Sequence, residues 1–455
     1  MRERIPHDVL GVCKTLRQHG FESWLVGGAV RDLVMARPVH DWDIATNARW
    51  SEVFDIFGDR VKATGVPFGT VTVVTDQRPI EVTTFREDSD YSDGRHPDFV
   101  VFSQSIEKDL MRRDFTINAM AYNPIEDVFL DNHGGMEDIQ NMIVRAVGDP
   151  GKRFQEDALR MLRACRFATV LGFTIEAETL ESIKRLCLGV MENVAQERIT
   201  QELNKMIVGP DPSRGFRLLL STGLLALLLP ELSRCAGVTQ NRWHKHDVFG
   251  HLMIACDVVD NDLDLRWAAV LHDIGKPLTR TVEGGNIFEE GAVHFYEHEI
   301  ASEKMALDIM MRMKQPTDLT ESVLMLIREH MSKYDRSWSN ASVRRLINRV
   351  GKERVWSLWK ILLADAQALE TEPAVEKIKD LADLARRIED QEMSEAAFKI
   401  TDLALNGFDV MTMMLLKPGP EVGKVLDWLL EQVLEDPSLN TTERLKELLQ
   451  KYPER

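Results

Sequence analysis

Asp41 and Asp43, two residues apart in His40-Asp41-Trp42-Asp43, are the first pair in this chain equipped for chemistry. Alternate residues of a strand share a face, so two carboxylates at this spacing repel unless a cation lies between them. Hard divalent ions such as Mg²⁺ take oxygen ligands together with substrate phosphates, and a pair of them can activate a hydroxyl and stabilise departing pyrophosphate. Glu81, between Ile80 and Val82, is a candidate third carboxylate; a solvent-facing place on an alternating strand is the plain alternative. Gly27-Gly28 follows the apolar run Trp24-Leu25-Val26 and precedes a helical pattern carrying Arg31 and Asp32, so bare backbone N–H groups could approach a phosphate there. A tight turn beside a surface arginine reads the same way. Arg112-Arg113-Asp114-Phe115-Thr116-Ile117-Asn118-Ala119 adds guanidinium groups suited to phosphate, and Asp and Asn side chains suited to ribose hydroxyls; a charged helix start is the competing reading.

A second group lies further along. An apolar helical stretch from Leu265 runs into Leu271-His272-Asp273-Ile274-Gly275-Lys276, His251 sits on the preceding helical segment, and His298, His330 and Asp365 sit on later ones. A bundle could project these ligands inward around a divalent ion, which would acidify water and direct hydroxide at a phosphoester. A lone histidine more often serves packing, so the signal is the ordered set; His244 and His246 compete for ligand duty.

The elements that must position these residues read as an α+β chain. A helix over residues 7–20, closed by Gly20, precedes strands at 24–26, 41–45, 71–74 and 80–85, with helices from Ala29 and through Val53 to Phe57. This makes a small mixed-sheet head. From about residue 136 the apolar period becomes 3.6, with short strand pieces expected near Ile287 and Val293 and joints at Pro210–Pro212, Pro230–Gln240 and Gly284-Gly285. The expected division is a head at 1–140, a helical neck at 141–235, a helical metal-binding domain at 236–390 and a C-terminal helical module at 391–455.

The 44% hydrophobic and 28% charged content excludes a disordered chain, a collagen and a disulfide scaffold. With 56 basic and 73 acidic residues the net charge is −17, which argues against a basic coat, so nucleic-acid contact must be local. Residues 145–170 reverse the sign, with six bases against three acids; Lys152, Arg153, Arg163, Arg166 and then Arg198 are candidates for tracking RNA phosphates, or else form a solvated helix face. Residues 366–395, with nine acids and four bases, should face away from an anionic ligand. Five scattered cysteines, no secretory leader and no long apolar run point to a reducing cytoplasm without membrane contact.

Taken in order, Gly27-Gly28-x-x-Arg31-Asp32, Asp41-x-Asp43 and Arg112-Arg113-Asp114-x-x-x-Asn118-Ala119 resemble the bacterial tRNA nucleotidyltransferase/poly(A) polymerase family, class II. Asp131-x-x-Gly134-Gly135 is similar to the family's hinge, and Glu156-Asp157-x-x-Arg160 to its amino-acid template for the incoming base. A surface Glu156–Arg160 pair is the bland alternative. The resemblance implies that Asp41 and Asp43 hold Mg²⁺, that Gly27, Gly28, Arg31 and Asp32 hold the triphosphate, and that Arg113, Asp114 and Asn118 select the ribose. It further implies that Asp157 and Arg160 read the base, that the segment 88–97 helps switch from CTP to ATP, and that the substrates are CTP, ATP and the tRNA 3′ end. The stretches around Asn406-Gly407, Lys417–Lys424 and Asn440-Thr441 are similar to the family's C-terminal RNA-binding module. His251, His272-Asp273 and Asp365 resemble the HD phosphohydrolase domain, with His298 and His330 where two-metal members add ligands. The implied activity is addition or repair of the tRNA 3′ CCA end without a nucleic-acid template. An A-adding enzyme, a poly(A) polymerase, or an HD phosphohydrolase with a non-catalytic head are the alternatives.

Overall fold

The computed structural model describes residues 1–88, 100–189, 192, 194–240, 244–283, 292–393 and 399–453, in two compact units, Met1–Pro230 and Glu231–Arg455. The first holds a seven-stranded sheet in the order β3-β4-β5-β2-β1-β8-β9. Its strands are β1 (Trp24–Val26), β2 (Asp43–Thr46), β3 (Val61–Gly65), β4 (Thr70–Val74), β5 (Pro79–Thr84), β8 (Ala121–Asn123) and β9 (Val128–Leu130); β6 (Arg86–Asp88) and β7 (Val100–Phe102) pair separately. Neighbours in the large sheet run antiparallel except β2 and β5, whose parallel pairing sets Asp43 opposite Glu81. A parallel pair needs a crossover; here the chain supplies it through helix α3 (Trp50–Phe57), β3 and β4.

Helix α1 (His7–Gln18) buries Val9, Val12 and Leu16 in one core with Leu25, Ile44, Val71 and Ile80. Trp42 belongs to that core and is 3% exposed, so its strand neighbour Asp43 turns the other way. The strand expected at 41–45 begins at Asp43: Asp41 precedes it in irregular backbone, although the amide of Glu81 already donates to the Trp42 carbonyl. Strand alternation therefore does not reach Asp41, which lies near enough to Asp43 to repel its charge. The three-residue strands β8 and β9 were not expected, being short with no glycine turn to mark them. Helices α2 (Gly28–Val34), α4 (Ile106–Met111) and α5 (Gly135–Gln140) complete the head. Beyond it run α6 (Pro150–Glu156), the largely buried α7 (Leu159–Leu171), α8 (Ala177–Leu186), and further helices at Gln196–Ile207 and Pro212–Ser221. A two-residue parallel pair, β10 (Ile143–Val144) with β11 (Thr174–Ile175), is also absent from the sequence pattern, as are β3 and the β6–β7 pair.

Among its described residues the only strands of the second unit are the antiparallel pair β12 (Arg280–Glu283) and β13 (Ala292–Phe295), which realises the strand expected near Val293. Ile287 and Gly284-Gly285 lie outside the described residues, as does all of the segment 88–97 beyond Asp88. Among the described residues no helix is long and apolar enough to cross a membrane. The cysteines are free, and all but Cys187 are buried.

Candidate nucleotide-binding head and metal centre

Gly27 ends β1 and caps α2 at φ +67°, a left-handed conformation that glycine adopts without strain. A Cβ there would stand 2.9 Å from an Arg113 Nη and 3.5 Å from Asp43 Oδ2, so the bare glycine lets a guanidinium and a carboxylate close on the same turn. Burial pushes the Asp43 carboxyl up to about 6, against the pull of Arg113 and with added repulsion from Glu81 and Asp41. Asp43 is thus a desolvated carboxylate repelled by two further acids, a strain that a bound cation would relieve. Arg113 is itself held by Asp109, which is fully buried and accepts from both Arg112 and Arg113.

From this turn a chain of charged hydrogen bonds runs through the unit. Arg31, steadied by Asp32 at 2.9 Å, donates to Asn118 Oδ1 at 2.8 Å, and Asn118 Nδ2 donates to Asp114 Oδ1 at 3.1 Å. Asp114 Oδ2 accepts from Arg163 through Nε and an Nη at 2.9 and 2.7 Å. Against the upward push of burial, the Arg163 guanidinium, the Asn118 hydrogen bond and Arg160 together hold the Asp114 carboxyl down at about 2. Arg163 reaches Glu202 Oε1 at 3.3 Å, Arg166 binds Glu202 Oε2 at 2.5 Å, and the Arg166 guanidinium lies 4.0 Å from the Phe167 ring centre. Glu202, which sequence reasoning did not single out, is 4% exposed on the helix Gln196–Ile207 and anchors two arginines of α7. Glu202→Ala would strip Arg166 of its carboxylate while Arg163 keeps Asp114, so a loss of about 3–5 kcal/mol is expected from the one uncompensated cation. A denaturant midpoint unchanged from the parent would contradict this account of the network.

Arg163 and Arg166 were candidates for RNA phosphate, but the structure turns both onto Asp114 and Glu202. Arg198, offered for the same role, pairs with Asp157 at 2.7 Å, and Arg153 bonds the Met111 carbonyl and Glu156; Lys152 is exposed. Asp157 and Arg160 were expected on one helix. Asp157 instead breaks it in extended backbone between α6 and α7, where its Oδ1 accepts from the Leu159 amide. Arg160 remains on α7, bonded to Glu156 and to the Arg153 and Arg112 carbonyls. The hinge-like segment has Asp131 accepting from the amides of Gly135 and Met136, both at 2.8 Å. A Cβ on Gly135 would fall 2.3 Å from the Thr116 carbonyl oxygen, which explains a glycine there.

In the second unit six ligand candidates from five separate segments converge. His251 lies within the helix Val248–Val258 and Asp365 within Val355–Ala368; His272 and Asp273 follow Leu263–Leu271, His298 opens His298–Arg312, and His330 ends Thr317–Glu329. Among the described residues two tight groups form, His251, His272, Asp273 and Asp365 on one side and Asp273, His298 and His330 on the other. Asp273 belongs to both: its Oδ2 lies 3.5 and 3.4 Å from the Nε2 atoms of His251 and His272, and its Oδ1 lies 3.1 and 3.7 Å from those of His298 and His330.

The hydrogen bonds behind these rings decide what they can hold. Nδ1 of His272, His298 and His330 faces the carbonyls of Ala269, Phe295 and Ile327 at 2.9, 2.9 and 2.6 Å. A carbonyl only accepts, so each Nδ1 carries a proton and each neutral ring turns an Nε2 lone pair toward the carboxylates. Lone pairs converging on carboxylates suit metal ions. Without one, the neighbouring carboxylates raise His272 to about 9 by favouring its protonated form despite burial. Lys276 at 2.6 Å from Asp273, and Lys377 at 2.7 Å from Asp365, complete the charge balance. Lys276 stands one turn past His272-Asp273, the only sequence signal for it. His244 packs edge-on to His251 with ring centres 5.4 Å apart and sits 3.4 Å from Lys276, while His246 pairs with Glu370.

Three family descriptions match this chain: a poly A polymerase head domain over residues 23–145, a probable RNA and SrmB-binding site of polymerase A over 172–235, and an HD domain over 246–396. A CCA-adding enzyme of Anoxybacillus flavithermus is 46% identical over 224 residues, 49% of this chain and 55% of that protein, so this alignment spans about half the length of the relative. A CCA-adding enzyme of Bacillus cereus is 33% identical over 445 residues, 96% of each chain. A crystal structure of the Bacillus stearothermophilus CCA-adding enzyme in complex with CTP superposes with a TM-score of 0.72 at 29% identity, covering 97% of this chain and 96% of that one. Sheet, paired acids, charged relay and end-to-end similarity agree, and the chain belongs to the CCA-adding enzyme family.

Proposed function

We propose that this chain adds or repairs the 3′ CCA end of tRNA from CTP and ATP without a nucleic-acid template. The observation that carries the reading is the full-length relationship to CCA-adding enzymes, joined to an acid cluster around a glycine turn. The 3′-hydroxyl of the tRNA attacks the α-phosphate, a phosphodiester forms, and pyrophosphate leaves. Asp41 and Asp43 would hold Mg²⁺, with Glu81 beside them, and when bound the ion supplies charge neutralisation between the carboxylates and the triphosphate. Gly27 and Gly28 offer backbone amides to the phosphates, Arg31 and Arg113 offer guanidinium groups, and Asp32 steadies Arg31. Asp114, fixed by Arg163, and Asn118, fixed by Arg31, present acceptor and donor to the ribose.

Cation binding at Asp43 competes with a proton. Its carboxyl titrates at about 6, above the usual range, so the ionised form is scarce below that pH and plentiful above it. The Mg²⁺ concentration for half-maximal addition should therefore rise as pH falls from 7 to 5, approaching about tenfold per unit at the acid end. Titrations of rate against Mg²⁺ at several pH values check this; a pH-independent midpoint would remove Asp43 from the site.

Asp157 and Arg160 offer an acceptor and donors to a base edge, released from Arg198 and Glu156 to do so. Asp157→Ala and Arg160→Ala should lower discrimination between CTP, ATP and the other two ribonucleotides by about 10-fold or more, the worth of one lost polar contact to the base. Incorporation of each labelled nucleotide on tRNA lacking CCA measures it, and unchanged selectivity would reject the template role.

A second activity is favoured by the six converging ligands of the helical unit: hydrolysis of a phosphate ester around a divalent metal held by His251, His272, Asp273, His298, His330 and Asp365. The parts of the chain are then a head at 1–140, a neck at 141–235, an HD domain at 236–390 and a C-terminal RNA-binding module at 391–455. Lys152, exposed in the basic stretch, remains a candidate phosphate contact for the tRNA.

A further inference from the structure

Beside the six ligands lies a cavity of about 430 Å³ walled by His244, Lys276, Lys333, Tyr296 and Lys377, among others. A second cavity of about 270 Å³ shares His330, Met331, Lys333 and Lys377 with it and continues to Tyr334, Leu362 and Leu381. The two differ in chemistry. The first gathers cationic groups next to the acids and imidazoles, whereas the second adds the Tyr334 ring and the side chains of Leu362 and Leu381, with Ser332 and the Asp380 carboxylate also on its wall.

That aromatic wall is built rigidly. The Tyr334 hydroxyl donates to Asp383 and accepts from Arg387 at 3.1 Å, and its ring meets Trp338 edge-on with centres 5.4 Å apart. Leu362 and Leu381 beside it are 2% and 3% exposed. A fixed aromatic ring facing two leucines, with the Asp380 carboxylate on the same wall as a hydrogen-bond acceptor, suits a flat heterocycle bearing N–H groups, and the size of the paired cavities suits a small organic ligand. At the junction Lys333 is exposed, while Lys276 and Lys377 are engaged by Asp273 and Asp365. An exposed ammonium at the boundary between the smaller cavity and a metal-ligand cluster suits a phosphate.

We infer that the smaller cavity is the base-binding subsite of the helical unit, receiving the ring of a nucleoside monophosphate against Tyr334 and Leu381 while Lys333 meets the phosphate at the entrance to the metal ligands. The inference rests on the metal-site reading above and goes beyond it in naming where the organic group of the ester is held. Phosphate alone would occupy only the cationic side, and a sugar phosphate would leave the aromatic wall uncovered.

The test is calorimetric binding to full-length, metal-free protein, where no turnover can occur, with 3′-AMP, ribose 5-phosphate and inorganic phosphate as probes. Because binding is read without hydrolysis, an inert metal site would not imitate failure of the subsite. The parent should prefer 3′-AMP over ribose 5-phosphate by at least about 10-fold, the usual worth of a stacked base. Tyr334→Ala should reduce that preference to near parity. Lys333→Glu, an exposed position where folding is not at stake, should weaken 3′-AMP and ribose 5-phosphate together by a comparable factor. Equal binding of all three probes by the parent, a preference that survives Tyr334→Ala, or 3′-AMP binding indifferent to Lys333→Glu would overturn the proposal.

Discussion

Asp43→Asn should reduce nucleotide addition to tRNA by about 10³-fold or more, since losing one metal-holding carboxylate is worth several kcal/mol of transition-state charge stabilisation, and each ~1.4 kcal/mol is a factor of ten. Asparagine has the same shape, so the turn at Gly27 and the register with Glu81 should survive. The sign of the stability change separates chemistry from damage. Burial already pushes the Asp43 carboxyl up to about 6, so at neutral pH the folded chain holds this charge at a cost. Removing the charge should leave the melting temperature equal to the parent's or raise it, while the single-turnover rate collapses. A variant that melts lower and loses activity in proportion would signal a packing role instead.

Asp273→Asn should have an effect of similar size on the other activity. One carboxylate serves both ligand groups, so its loss weakens both at once, whereas replacement of His298 or His330 would touch one. Metal content should fall and phosphoester hydrolysis should drop by about 10³-fold, again several kcal/mol of lost charge stabilisation. Addition of CTP and ATP, assayed in the same preparation, should persist. Equal loss of both activities would contradict two separable centres. Lys276 would lose its 2.6 Å partner, so some loss of stability is expected with the metal removed.

The sequence was most informative where chemistry demands fixed residue types at short spacing. Asp41 and Asp43 could be read from their spacing because Trp42 between them is apolar and turns into the core. The histidines and aspartates of the second unit could be read as an ordered set, since helices of ordinary length deliver one or two ligands each. What was hidden depended on contacts between distant segments. Glu202 looks like any helical glutamate until Arg163 and Arg166 are seen to close on it, and nothing local foretells that pairing. The same blindness made Arg163, Arg166 and Arg198 look like free cations, because a basic stretch shows its charges and not their partners. Asp157 was misplaced onto a helix since Glu156-Asp157-Ala158 contains no glycine or proline to mark a break; its own capping bond to the Leu159 amide makes one. Strands β3, β8 and β9 were missed: Val61 is the one large apolar residue in β3, and β8 and β9 have three residues each with no glycine turn to announce them as Gly27-Gly28 announces β1.

A head that completes a CCA end and then stops should give one product from every starting end. Sequencing shows this on the 3′ ends produced when wild-type protein is incubated with CTP, ATP and Mg²⁺ on tRNA ending before CCA, in C and in CC. All three should finish as CCA with no further residues. Extension of the CC end alone would leave an enzyme that adds only A, and long A tails would make it a polymerase; either result would contradict the account.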